Sequence, residues 1–104
     1  MVAWYTTESV AGKQISKHIG VATGSTIRAR NIGRDIVAGL RTLIGGEVPE
    51  YTEMMAHARN QAIERMLEKA DDMGADAVVG VRFSTAMIMQ GTAEVMAFGT
   101  AVKL

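Results

Sequence analysis

The 104-residue chain contains no cysteine, a single proline and few aromatic residues, namely one tryptophan, two tyrosines and two phenylalanines. Without cysteine it can form no disulfide, no thiolate-ligated zinc or iron–sulfur site, and no thiol redox centre. It also lacks a run of about 18 apolar residues, and its first residues, MVAWYTTESVAG, carry no lysine or arginine. We therefore expect a soluble, cytoplasmic chain with no signal peptide and no membrane partner.

A net charge of either sign is also absent, because 11 basic residues balance 11 acidic ones. Residues 1–46 carry six Lys or Arg and two acids, a net charge of +4, whereas residues 47–104 carry five and nine, a net charge of −4. The basic half holds Trp4 and Tyr5 far from the arginines around Arg30, so it lacks the basic stripe with stacking aromatics that binds nucleic acid. We expect no nucleic-acid partner and interpret the asymmetry as charge complementarity within the chain or between copies.

The residues that are present have the composition of one globular domain, with 48% hydrophobic and 21% charged residues. We predict a single domain over residues 1–104. A domain of this size leaves much of its surface in water. Any apolar face beyond the core should therefore be covered by a partner.

The clearest pattern lies at residues 51–73, where apolar residues recur every three or four positions. It predicts a long amphipathic helix, with Pro49 just before it and Gly74 ending it as the glycine after the C-cap. The predicted apolar stripe consists of Met55, Ala58, Ala62, Met66, Ala70 and Met73.

The chain before this helix predicts two short strands and a shorter helix. Residues 2–7 are β-branched and aromatic, and residues 14–23 alternate, with Ile15, Ile19 and Val21 on one side. Residues 23–26, Thr-Gly-Ser-Thr, favour a turn and a helix cap. A second helical stripe then runs until the glycines at 45 and 46, and consists of Ile32, Ile36, Leu40, Leu43 and Ile44.

After Gly74 the sequence predicts a C-terminal hairpin, with a strand over residues 77–89, a turn at Gln90 and Gly91, and a strand over residues 92–102. Neither face of this hairpin is consistently polar, so the sheet should be covered on both sides. The helices would cover one side, and a neighbouring subunit is the simplest cover for the other.

Arg59 falls inside the apolar stripe of the long helix, although a buried guanidinium needs an anionic partner. Asp35 lies at the border of the stripe on the shorter helix. Arg59 either pairs with Asp35, within one subunit or across an interface, or extends past the rim of the domain into solvent.

The best local arrangement for a metal is Glu53 and His57, four residues apart on one helix face. Two ligands fall short of the four of a structural zinc site and the three of a catalytic one. His57 lies at the centre of the charged side of the helix, which favours a solvated face. His18, on a strand, is a weaker candidate, and the methionines lie mostly at packing positions.

Asn31, Arg34 and Asp35 cluster at the start of the shorter helix, and Tyr51 begins the long one. They could line a small-anion pocket between subunits, with Arg34 and helix amides as donors, or form a cap and interface network. Nothing places a histidine and a carboxylate beside a Ser or Thr nucleophile, so we do not expect an enzyme.

Several segments together resemble the YbjQ family of small prokaryotic proteins: NIGRDIVAGLR, the double glycine, Tyr51 and the Ala58-Arg59 segment, GADAVVGV and the closing GTAV. The resemblance covers nearly the whole chain. It implies an α+β fold of the dodecin-subunit kind, in which a small antiparallel sheet wraps one long helix beside a shorter one. It also implies a homopentameric ring whose extra short strands promote assembly, and a heavy-metal-binding label that this cysteine-free sequence supports weakly.

We therefore interpret the chain as the subunit of a homo-oligomer, a pentamer, that serves as a binding or scaffold module. A small-ligand pocket at the subunit interface would involve Asn31, Arg34, Asp35, Tyr51 and Arg59. A divalent-metal-binding protein using His57, Glu53 and His18 is the first alternative. A small-molecule enzyme with an interface site is the second.

Overall fold

The computed structural model describes residues 2–29 and 49–104, with side chains from residue 52 onward in the second range. Within these ranges one helix packs on a four-stranded sheet of order β1-β3-β4-β2. The elements are β1 (Ala3–Trp4), β2 (Lys17–Ala29), α1 (Pro49–Asp72), β3 (Ala77–Met89) and β4 (Thr92–Lys103).

The predicted α+β class is confirmed, but the expectation of an entirely antiparallel sheet is wrong. β2 and β3 both run antiparallel to β4, whereas β1 pairs in parallel with β3. The N-terminal strand adds to the outside of β3 instead of pairing with its neighbour in sequence, and this makes the sheet mixed.

The C-terminal hairpin and the long helix follow the sequence prediction closely. Gln90 and Gly91 form the turn between β3 and β4, with Gly91 at a φ of 81°. Gly74, at a φ of 81°, ends α1. Its amide donates to Asp71 O at 2.9 Å and the next amide, of Ala75, donates to Ala70 O at 3.0 Å, the bonding pattern of a Schellman motif.

Small residues bring α1 close to the sheet. The centre of the predicted stripe is fully buried, and it packs against Ala22, Ala97 and Ala101. At Gly24 the approach is so close that a Cβ would meet the backbone of Ala62 and Met66. The fully buried helix residues are Ala58, Ala62, Met66 and Ala70.

The predicted turn at residues 23–26 is wrong, because β2 continues through it to Ala29. These residues pair one by one with β4, for example Gly24 with Ala97 and Thr26 with Val95. The glycine that suggested a turn is instead the position where helix and strand touch. The predicted shorter helix lies outside the described residues.

The predicted alternation of Ile15, Ile19 and Val21 on one side is also wrong. A bulge lies between His18 and Gly20, so the pattern changes sides there. Ile19 packs against the cluster under α1, Ile15 joins a separate cluster, and Val21 is 66% exposed.

We call the side of the sheet that α1 covers the helix face and the opposite side the outer face. Residues 10–15 fold over one end of the outer face, where Val10 and Ile15 pack on Ala77, Val79 and Val102. The rest of the outer face has no such cover among the described residues. We call the part of the hairpin beyond this cover, residues 82–94, the hairpin arm.

Among the described residues no helix is long and apolar enough to cross a membrane.

Candidate functional site

A polar cleft of about 460 Å³ lies where β2 meets α1. Four consecutive residues near the end of β2 line the cleft together with two residues of α1. The two helix residues are four positions apart, so they lie one turn apart on the same helix face. We call it the arginine cleft. Its lining residues are Ser25, Thr26, Ile27, Arg28, Gln61 and Arg65.

Gln61 is the centre of the hydrogen bonds in this cleft. Its Oε1 accepts from the Thr26 hydroxyl at 2.7 Å and from Arg28 Nη2 at 2.9 Å. Thr26 is only 3% exposed, so this bond satisfies a hydroxyl that water barely reaches. One turn further along α1, Arg65 Nη1 donates to Ser25 O at 2.7 Å. Both guanidinium groups are therefore anchored by hydrogen bonds to residues that line the cleft.

The acceptors of the arginine cleft are largely used within it, while donors remain. Gln61 Oε1 already accepts two bonds, and Ser25 O accepts one. Among the residues that the structure describes, Arg28 Nε is buried without a hydrogen-bond partner. None of the lining residues is acidic. The cleft therefore carries the positive charge of two arginines, which no acidic lining residue balances. It also contains N–H donors that its neutral acceptors do not satisfy.

Sequence reasoning missed this cleft because it ended the strand at residue 23. With a turn predicted at residues 23–26, Thr26 and Arg28 are not expected to share one face of a strand. The signal that could have found it is the alternation of Thr26 and Arg28 opposite Gln61 and Arg65, which are four apart on α1.

Two further clefts share Arg28 as a wall. One, of about 350 Å³, is mainly apolar and lies between the start of α1 and the hairpin arm, with Met54, Met55, Thr85 and Met87 among its lining residues. The other, of about 300 Å³, is lined by Arg28, Glu53, Met54 and His57.

The second of these clefts brings the predicted metal pair together. Glu53 and His57 are both exposed and line it side by side, but Arg28 adds a positive charge to the same space. The described residues contain no group of three or more His, Cys, Asp or Glu that could hold a metal ion. His18 lies ten residues before Arg28 on β2, roughly 30 Å away at the rise of a strand, and is not part of this group.

Arg59 is exposed in the protomer, which agrees with the alternative in which its side chain extends past the rim of the domain into solvent. The helix touches the sheet along a narrow line through Ala58 and Ala62, and Arg59 lies about 100° around the helix from Ala58. Its pairing with Asp35 stays a prediction, since Asp35 lies outside the described residues. Asn31 and Arg34 lie outside them as well, and Tyr51 is described only as part of the α1 backbone.

Asp76 holds the C-terminal end of β4 in place. Its carboxylate accepts a bond from the Leu104 amide at 2.9 Å and lies 3.4 Å from Lys103 Nζ. The Leu104 amide, and then Lys103, lower the pKa of this carboxyl below its usual value. The interaction is exposed and distant from the clefts around Arg28.

Known proteins similar to this chain share its length and its fold. The YbjQ family model, whose description is "Putative heavy-metal-binding", matches residues 2–104. A UPF0145 protein of Methanosarcina acetivorans is 57% identical over 99 residues, which cover 95% of this chain and 93% of that relative. A UPF0145 protein of Psychromonas ingrahamii is 56% identical over 99 residues, covering 95% and 94%.

Among solved structures, a protein of unknown function of the DUF74 family from Pediococcus pentosaceus matches with a TM-score of 0.70. The match covers 99% of this chain and 97% of that one at 18% identity, so it bears on the fold alone. The family resemblance inferred from the sequence is confirmed by the family model and by these relatives. The chain belongs to the YbjQ family.

Proposed function

We propose that this chain is the subunit of a homopentameric ring that serves as a binding or scaffold module. The observation that carries the proposal is the amount of large apolar surface that the protomer leaves in water. Val21 and Ile27 on the outer face are 66% and 59% exposed, and on the hairpin arm Met87 and Ile88 are 78% and 50% exposed. Exposed large apolar surface in this amount marks an interaction surface on a soluble protein.

An open strand edge adjoins the same surface. Backbone bonds from residues 5–7 follow the outer edge of β3 only as far as Val81. From Arg82 to Met89 no other strand of the described residues pairs with that edge, while β4 pairs with the inner one. An open edge flanked by apolar side chains is a template for pairing with another chain.

A second copy of the chain is the partner that fits best. The apolar surfaces of two copies can pack against each other. The half of the sequence with a net charge of +4 can also lie against the half with a net charge of −4 in another copy. The number five is what the family resemblance implies. The interface pocket expected from Asn31, Arg34, Asp35, Tyr51 and Arg59 belongs to this proposal, with exposed Arg59 available to a neighbouring subunit.

Size-exclusion chromatography with light scattering tests the assembly. We expect a mass about five times the 11.1 kDa of one chain at micromolar concentration. Ile88→Lys should lower the mass, because a lysine cannot be buried unpaired in an apolar contact. Asn60→Lys, at an exposed position on α1, is the matched control and should keep the wild-type mass. A wild-type chain that elutes only as an 11.1 kDa species would contradict the proposal.

Divalent-metal binding is the second candidate function, and one observation favours it. Glu53 and His57 share a cleft with the Met54 side chain, so one carboxylate, one imidazole and one thioether face a common space. These are ligands for a borderline or soft metal such as zinc or copper. Further ligands would have to come from a neighbouring subunit.

Calorimetric titration of tag-free protein with zinc, copper and nickel separates this function from the first. Stoichiometric submicromolar binding that His57→Ala abolishes and His18→Ala leaves intact would support it. Binding that is absent, or that both variants weaken equally, would contradict it.

A further inference from the structure

We propose that the arginine cleft binds the phosphate group of a small phosphate monoester. The site belongs to one protomer and goes beyond the assembly proposed above. Three features support it: two guanidinium groups in a cleft that no carboxylate lines, a buried Arg28 Nε without a hydrogen-bond partner among the described residues, and an adjoining apolar cleft.

The charge of the cleft fits a dianion. Arg28 and Arg65 both line it, and no Asp or Glu does. Their hydrogen-bond partners in the cleft are neutral oxygens, Gln61 Oε1 and Ser25 O, which orient the guanidinium groups without cancelling their charge. Glu53 lies with Arg28 in the adjoining cleft and does not line this one. A phosphate monoester carries close to two negative charges at neutral pH, so it balances both arginines where a carboxylate balances one.

The hydrogen-bonding groups also match a phosphate. Gln61 Oε1 already accepts two hydrogen bonds, the number that its two lone pairs allow. Arg28 Nε is buried without a partner in the described part of the chain, and a buried donor of this kind is costly unless something accepts from it. Phosphate oxygens only accept, so they complement a cleft in which the acceptors are used and the donors are not.

The rest of the ligand is expected to be apolar. Arg28 is also a wall of the mainly apolar cleft lined by Met54, Met55 and Met87. A ligand whose phosphate lies against Arg28 would direct its organic part toward these methionines, whose flexible side chains adapt to different shapes. The expected class is therefore a phosphate monoester with a ring or short apolar body.

Titration calorimetry at constant ionic strength tests the site with inorganic phosphate, phenyl phosphate and benzoate. We expect phenyl phosphate to bind more tightly than inorganic phosphate, and benzoate to bind most weakly. Arg28→Gln and Arg65→Gln should each weaken phenyl phosphate binding about 10-fold or more, as expected for the loss of a charged hydrogen-bonding partner. Met54→Ser should weaken phenyl phosphate but not inorganic phosphate.

Gln61→Glu gives the sharpest comparison, because it keeps the size of the side chain and both accepted bonds while adding an internal anion. It should abolish phosphate binding. Asn60→Asp adds the same charge at the neighbouring, exposed position and should leave the affinity within about twofold, since exposed charges interact weakly. Helix content and assembled mass are measured on every variant, so a folding defect in one arginine variant leaves Gln61→Glu as the deciding result.

Wild-type protein that binds neither phosphate probe would overturn the proposal, and so would Gln61→Glu binding them as tightly as wild type. Benzoate binding as tightly as phenyl phosphate would overturn the assignment of a dianion. Because mass and phosphate affinity are separate readouts, a monomer that binds phosphate contradicts only the ring, and a pentamer that does not bind phosphate contradicts only this site.

Discussion

The two ends of the sheet are packed in opposite ways. At the end under α1, small residues allow close contact, and Ala22, Ala62 and Met66 are completely buried. On the hairpin arm, large apolar residues such as Phe83, Met87 and Ile88 are exposed. The first arrangement stabilises the protomer by itself, whereas the exposed apolar area of the second is available for contacts with a partner. The contrast separates residues that determine the fold from residues available for assembly.

The largest effect should come from Gly24→Ala at the closed end. A Cβ there would collide with the α1 backbone at Ala62 and Met66, and backbone cannot move aside as a flexible side chain does. We expect the free energy of unfolding to fall by more than about 4 kcal/mol, measured by denaturant titration.

Gly12→Ala is the control for this change. Gly12 has a φ of 76°, but no described atom lies within 4 Å of where a Cβ would stand, so only backbone strain should appear, about 1 kcal/mol. Equal losses at the two glycines would contradict the close packing described at Gly24.

Met66→Ala and Met87→Ala compare the two ends directly. Met66 is completely buried, and its truncation should cost about 3 kcal/mol by leaving a cavity. Met87 is 78% exposed, so its truncation should change protomer stability by less than about 0.5 kcal/mol. Because assembly adds stability that depends on concentration, both are measured at several protein concentrations. A large, concentration-independent loss in Met87→Ala would contradict the contrast.

Thr26→Val should have a smaller effect. It keeps the shape of a buried side chain but removes the hydroxyl that donates to Gln61 Oε1. We expect a loss of about 1 kcal/mol in unfolding free energy, the usual net value of one hydrogen bond. Thr23→Val, at an exposed position on the other side of β2, should change it by less than about 0.5 kcal/mol.

The smallest effect should be the pH dependence contributed by Asp76. Its pKa is lowered in the folded protein, chiefly by the Leu104 amide, so its stabilising contribution is complete above the ordinary Asp pKa. That contribution should decline as the pH falls through the folded-state pKa below it. In a plot of the free energy of unfolding against pH, Asp76→Asn should slightly reduce the loss of stability at acidic pH, whereas Asp72→Asn should leave that loss unchanged.

The elements whose sequence signals act locally were predictable. The α1 stripe, the Gly74 stop and the Gln90-Gly91 turn each depend on a few neighbouring residues, and all three appear in the structure. The extent of β2 was not predictable in this way, because the local sequence around Gly24 favours a turn. Only the contact of Gly24 with α1 explains why a glycine lies within the strand. The mixed sheet likewise depends on β1 pairing with a strand more than 70 residues away in sequence.

The candidate sites differ in the same respect, namely whether their residues are close together in the sequence. The spacing of Glu53 and His57 along one helix was sufficient to predict that they share a face, and they line one cleft. The arginine cleft joins residues of β2 and α1 that are 33 to 40 positions apart, so only the tertiary packing reveals it. The sequence left open whether Arg59 is buried in an ion pair or reaches solvent, and its exposure in the protomer follows from a contact with the sheet that is narrower than the apolar stripe.

Hydrogen exchange along β3 tests the central contrast most directly. If copies of the chain cover the hairpin arm, outward-pointing amides between Arg82 and Met89 should exchange nearly as slowly as those of the buried Val78 to Val81 segment in the assembled protein. Their protection should be lost in Ile88→Lys while that of Val78 to Val81 remains. Rapid exchange of those arm amides in wild-type protein at every concentration, beside a protected helix-covered end, would contradict the account.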